Sequence, residues 1–212
     1  MQIAIATFPR FTALDGIGPY EVLQRIPSLD VVFVGHARGE VRSDNGMLGI
    51  VADATFEEIA RPEVVVMPGG IGTRELLGDE RVLDWVRTAH ETSTLTTSVC
   101  SGSLVLAAAG LLNGLEAASH WSVYEYLELL GAVPTPQRVV EHLDRRIVTA
   151  AGVSAGLDMA LRLAELLVDD VAAQAAQLLI EYDPQPPFDA GSRAKAGEAV
   201  LARVTEYAAQ RS

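Results

Sequence analysis

The chain has a single cysteine, Cys100. That rules out an internal disulfide framework and fits a reducing cytoplasm. Aromatic residues are scarce, at 6% of the chain, and the apolar runs are too short and interrupted for a transmembrane helix. The opening Met-Gln leads straight into a strand-like run with no basic stretch before it, so no secretion signal is expected. Positive charge is also short: 16 Lys and Arg stand against 28 Asp and Glu, a net charge of −12. The acidic residues are spread along the chain, so they form a solvated surface that repels a phosphate backbone, and nucleic-acid binding is disfavoured. His36, His90, His120 and His142 are dispersed, and no zinc-type Cys/His cluster exists. No internal repeat or linker stands out, which predicts one domain over residues 1–212.

What the chain does have is apolar residues, 49% of its 212, enough for the core of one large α/β domain. Residues 2–7, 29–35, 63–67, 95–99, 116–119, 138–142 and 146–150 read as strands, most of them short continuous apolar runs. Helical segments lie between several of them: from Pro19 to about Arg25, over 79–91 with Val82, Leu83, Val86 and Ala89 on one face, over 101–109 and over 122–130. Residues 38–52, with Asp44-Asn45-Gly46 at the centre, predict a hairpin-like excursion. Helices follow over 157–168 and 171–180. The proline-rich stretch 182–189 cannot be helical and reads as a strap before a final amphipathic helix over 194–210. Alternation of this kind predicts a mostly parallel sheet covered on both faces, a doubly wound three-layer sandwich.

Three groups then fall at the carboxyl ends of strands, where such folds place their sites. Asp15 follows the first strand, Gly69 and Gly70 follow the third, and Cys100 follows the strand over 95–99. A strand turning sharply into a helix can expose a nucleophile on a strained elbow, and the helix end is expected to lower its pKa. Each residue also has a plainer reading. Cys100 could be a buried small hydrophobe. Asp15 could be a helix N-cap, and Pro68-Gly69-Gly70-Ile71-Gly72 a tight strand-to-helix turn. That loop lacks the lysine of a phosphate-binding loop and is not GxGxxG.

The segments LDGIGPYEVL (14–23), VVVMPGG (64–70), SVCSGSLVLAAAGLLNG (98–114), ASHW (118–121), TAAGVSAGLDMAL (149–161) and EYDPQPPFDAG (181–191) resemble the ThiJ/PfpI superfamily, and within it the isonitrile hydratase-like members. The resemblance covers nearly the whole chain. It implies a flavodoxin-like α/β fold, usually a homodimer, with no cofactor and a small-molecule substrate. It makes Cys100 the nucleophile and Asp15 the carboxyl group beside it. Ser101 holds the next position, where isonitrile hydratases usually carry Thr and protease-like members carry His, which argues against peptidase activity. His120 stands where many members place a histidine near the thiol, although it could equally be a packing residue. The backbone N–H groups of Gly70 and Ser101, with Gly69 beside them, are expected to face developing negative charge. The activity implied is hydration of an isonitrile to an N-substituted formamide. The alternatives are a glyoxalase or deglycase using the same cysteine, or a redox sensor working through cysteine oxidation.

Overall fold

The computed structural model describes residues 1–210. The β-strands are β1 (Gln2–Ala6), β2 (Asp30–Gly35), β3 (Gly39–Arg42), β4 (Gly49–Ala52), β5 (Ala54–Thr55), β6 (Val64–Met67), β7 (Leu95–Val99), β8 (Glu116–Ala118), β9 (Val133–Thr135), β10 (Val139–His142) and β11 (Ile147–Ala150). The α-helices are α1 (Ala13–Leu23), α2 (Thr73–Leu76), α3 (Glu80–Thr92), α4 (Gly102–Ala108), α5 (Tyr124–Leu129), α6 (Ala155–Leu167), α7 (Asp170–Leu179) and α8 (Glu198–Ala209). Seven strands form the main sheet, in the order β10-β11-β7-β6-β1-β2-β5. All its pairings are parallel except β10 with β11, which are antiparallel.

Burial on both faces explains the unbroken apolar runs. Successive side chains of a strand point to opposite faces. Accordingly, Ala4 and Ala6 of β1 join one core cluster while Ile3 and Ile5 join the other, and β6 divides the same way, Val65 and Met67 against Val64 and Val66. The first cluster includes Val82, Leu83 and Val86 of α3, Leu104 and Leu106 of α4, and Leu127 of α5. The second includes Val22 and Leu23 of α1, Met159 and Leu163 of α6, and Ala173 and Ala176 of α7. The fold is thus α/β, with two helical layers around a mostly parallel sheet.

Several boundaries differ from the sequence expectation. α1 begins at Ala13 rather than near Pro19, so Pro19 lies inside the helix and Asp15 in its first turn. Asp15 is therefore no N-cap; that position is Thr12, whose side chain makes no capping bond. β5, β9 and α2 have no counterpart in the sequence expectation, and the hairpin over 38–52 forms as β3 paired antiparallel to β4. By compactness the described chain divides into two units, residues 1–180 and residues 181–210. The first holds the sheets and α1 to α7. The second holds the non-helical proline-rich stretch and α8.

The strand order also positions the site. From β1 the chain moves to β2 on one side, then returns to place β6 on the other. β1 and β6 thus flank a topological switch point, where loops leave in opposite directions and open a crevice beyond the strand ends.

Candidate active site

Cys100 occupies the turn between β7 and α4 with φ of +59°. This left-handed conformation is unfavourable for a residue with a side chain, and such strain concentrates at functional turns. The turn is held on all sides. The Cys100 N–H donates to the carbonyls of Ala150 and Ala151 at 3.1 and 3.0 Å, and its own carbonyl accepts from Ser103 Oγ and Ser119 Oγ at 3.2 and 3.0 Å. Behind it, a Cβ on Gly102 would collide with the Met67 carbonyl oxygen, so α4 can begin this close to β6 only with glycine there.

Asp15 is fully buried. Its Oδ2 accepts the Gly69 N–H at 2.9 Å, whereas Oδ1 has no partner of ordinary hydrogen-bond geometry. The Cys100 thiol is the neighbouring polar group and interacts with the carboxyl. Gly69 makes this meeting possible, because a Cβ there would lie 2.5 Å from the Ser101 nitrogen and 2.9 Å from Asp15 Oδ2.

Burial dominates both ionisations. Loss of hydration raises the Asp15 carboxyl from 3.8 to about 7, against the opposing Gly69 N–H and the thiol. Cys100 is pushed up to about 12, first by burial and then by the negative charge of Asp15. The backbone N–H groups of Val153 and Ser101 pull the other way without prevailing. The expectation of a thiol acidified by its helix is thus corrected. α4 has only seven residues, and the sulfur is enclosed rather than hydrated. The expectation of a raised carboxyl agrees with the geometry. The two groups share one site and titrate as a pair.

Ser101 joins the elbow to the glycine loop. Its Oγ accepts the Gly70 N–H at 2.9 Å, lies 3.2 Å from the Gly70 carbonyl and accepts from Thr73 Oγ1 at 3.3 Å. The Gly70 N–H, expected to face developing charge, is therefore already committed to Ser101. The amides directed at the sulfur are those of Ser101 and Val153. Val153 had no signal in the sequence, although φ of +33° in a β-branched residue marks it as held in place by its surroundings.

His120 caps the 3-10 turn over Trp121–Val123. Its Nδ1 accepts the Ser122 N–H at 3.3 Å, which leaves the proton of a neutral ring on Nε2. Burial lowers its pKa and so favours that neutral form. Among the described residues no hydrogen bond links His120 to Cys100 or Asp15, but it lines the same cavity of about 220 Å³ as Cys100, Ser101, Gly70, Arg74 and Val153. No group of His, Cys, Asp or Glu among the described residues could hold a metal ion, and no helix among them is long and apolar enough to cross a membrane. What the site can do chemically is set a nucleophilic sulfur at the wall of a small cavity, with a carboxyl group and two amide donors beside that sulfur.

Comparison with known proteins places these features in context. Isonitrile hydratase of Pseudomonas putida is 42% identical over 209 residues, covering 99% of this chain and 90% of that protein. Protein DJ-1alpha of Drosophila melanogaster is 30% identical over 141 residues, covering 64% of each. Among solved structures, a ThiJ/PfpI family protein from Pseudomonas syringae superposes with a TM-score of 0.91 at 40% identity, covering 99% of this chain and 86% of that one. The DJ-1/PfpI family profile matches residues 1–166. With a sheet, elbow and glycine loop of this form and a match over most of its length, the chain belongs to the DJ-1/PfpI family.

Proposed function

We propose that this chain is an isonitrile hydratase, adding water to R–N≡C to give an N-substituted formamide. The observation that carries the reading is the buried Asp15–Cys100 pair, set in a chain similar along nearly its whole length to a protein of that activity. The terminal carbon of an isonitrile takes both a nucleophile and a proton. Cys100 Sγ bonds to that carbon, Asp15 gives it a proton, and the carboxylate recovers a proton from the thiol. The product is a thioimidate, R–N=CH–S–Cys100, and Asp15 ends as it began. Water then adds across the C=N bond, and collapse of the adduct expels the Cys100 thiol and leaves R–NH–CHO.

The geometry suits these roles. With Oδ2 accepting from Gly69, the Asp15 proton belongs on Oδ1, the oxygen without another partner. A carboxyl ionising near 7 is balanced between giving and recovering a proton at neutral pH. The Ser101 and Val153 amides stabilise negative charge on sulfur as the thiol proton leaves. Ser101 Oγ and the Gly69-Gly70 loop act as positioning groups. His120 presents Nε2–H as a neutral donor toward substrate. The reading also makes the protein a homodimer, measurable by light scattering, and suits a reducing cytoplasm that keeps Cys100 as the thiol.

The test is turnover of cyclohexyl isonitrile by the wild type and two variants. Cys100→Ala is expected to abolish formamide production, and Asp15→Asn to reduce it by about 10²-fold or more. Intact-protein mass spectrometry during turnover should show an adduct of substrate mass on Cys100. Hydration at the wild-type rate by Cys100→Ala, or an adduct confined to another residue, overturns the mechanism.

A further inference from the structure

Arg74 is the only formally charged residue lining the catalytic cavity, among the described residues. It lies one residue after Thr73, whose hydroxyl bonds the Gly70 carbonyl, so its backbone is anchored to the glycine loop. Its guanidinium stands 6.0 Å from the centroid of the Tyr126 ring. An aromatic face at that distance supports a guanidinium electrostatically and leaves its N–H edges free to donate.

Most arginines of so acidic a chain have an acidic partner, and Arg74, like Arg10 and Arg146, has none among the described residues; of these three only Arg74 lines the catalytic cavity. Arg25, Arg38, Arg61, Arg81, Arg87 and Arg162 each pair with a carboxylate. Arg74 makes no such pair among the described residues, although 28 acidic side chains are present in the chain. The other cavity residue able to carry positive charge, His120, has its pKa lowered by burial, which favours the neutral ring. A guanidinium offers a planar set of donors that matches a carboxylate in bidentate fashion. The cavity that holds the thiol therefore has an unopposed cation at its edge and no carboxylate in its lining.

We infer that Arg74 forms an anion subsite, and that the substrate is an isonitrile whose R group carries a carboxylate. The choice of substrate rests on the hydratase reading, whereas the anion subsite rests on the cavity alone. The isonitrile carbon meets Cys100 while the carboxylate lies against the Arg74 guanidinium. Arg74 here is a specificity residue. It takes no part in bond making, and it selects among isonitriles by the charge at the far end of R.

Two measurements separate this inference from the reading beneath it. The first compares hydration of 3-isocyanopropanoate and 4-isocyanobenzoate with hydration of their methyl esters. The wild type is expected to favour each acid over its ester by about tenfold or more in kcat/KM, mainly through KM. Arg74→Gln should reduce that ratio by about tenfold, and Arg74→Lys should restore part of it. Arg25→Gln makes the same change in net charge on the surface, where Arg25 pairs with Glu21, and should leave the ratio as in the wild type. The second measurement needs no turnover: benzoate and benzamide are compared as protectants of Cys100 against alkylation by iodoacetamide. Benzoate should protect at concentrations about tenfold lower, and Arg74→Gln should erase the difference. Equal protection by the two compounds, or a benzoate advantage that survives Arg74→Gln, overturns the subsite. Failure of the wild type to hydrate any isonitrile, with benzoate still preferred, overturns the hydratase reading and leaves the subsite standing.

Discussion

At the scale of the residue, the pair of Asp15 and Cys100 controls both turnover and stability through one proton. Asp15 must carry that proton to donate it, so kcat/KM is expected to fall about tenfold per pH unit above about 7. A profile flat to pH 9 would remove Asp15 as the donor. The same shift has a sign for folding. The carboxyl ionises near 3.8 when unfolded and near 7 when folded, so between those values the native state binds the extra proton. Its contribution is complete below about 3.8 and is lost as pH rises through 7, by up to about 4 kcal/mol at 1.36 kcal/mol per unit. Asp15→Asn keeps the shape and removes the charge. Urea denaturation at pH 5 and pH 8 should therefore show the variant gaining on the wild type as pH rises. Ser101→Ala deletes the acceptor of the Gly70 N–H and should cost about 1–3 kcal/mol by leaving that amide unmet, with a larger relative loss in kcat than in KM. Ser101→Thr keeps the hydroxyl and should restore most of both.

At the scale of the element, the start of α4 is the most demanding point. Gly102→Ala places a methyl against the Met67 carbonyl, so β6 and α4 must separate. A loss of several kcal/mol is expected in thermal denaturation, well beyond the ~1 kcal/mol range of ordinary point changes. Elements of this kind differ in how far their sequences announce them. β1 and β6 are legible because burial on both faces demands continuous apolar runs, and β7, with Thr96, Thr97 and Ser98 at its centre, from its β-favouring residues; together these strands bring Asp15, Gly69-Gly70 and Cys100 to one edge. The start of α1 is not legible, since Gly16, Gly18 and Pro19 are poor helix formers and Pro19 suits a first turn. Packing outweighs propensity there. The space beside Gly16 is occupied by Ile5, Phe33 and Phe11, and that beside Gly18 by Leu157 and Leu14. α2 and β9 are too short for any period to show. The direction of the Cys100 shift depended on how deeply the sulfur is enclosed, and the Val153 amide on a positive φ that only surrounding structure imposes. Arg74 sits in the four-residue α2, next to a glycine loop that draws attention to its backbone rather than to the side chain after it.

At the scale of the whole molecule, a net charge of −12 makes the folded chain repel itself. Added salt screens that repulsion and also weakens the exposed ion pairs, each worth little. The net effect expected between 10 and 300 mM NaCl is a gain of about 1 kcal/mol, or roughly 2–4 °C in Tm, measurable by calorimetry. A fall in Tm over that range would mean that the surface pairs outweigh the overall repulsion. The placement of the site carries a further consequence. Asp15 stands in α1, whose Val22 and Leu23 belong to the same core cluster as Cys100, while α4, which continues directly from Cys100, belongs to the other. The elbow is thus tied to both layers, and loosening of either is expected to shift the thiol relative to the carboxyl. Turnover then behaves as a coincidence detector for the two halves of the core. In a denaturant series, activity would fail before the helical signal does and would report the weaker layer first.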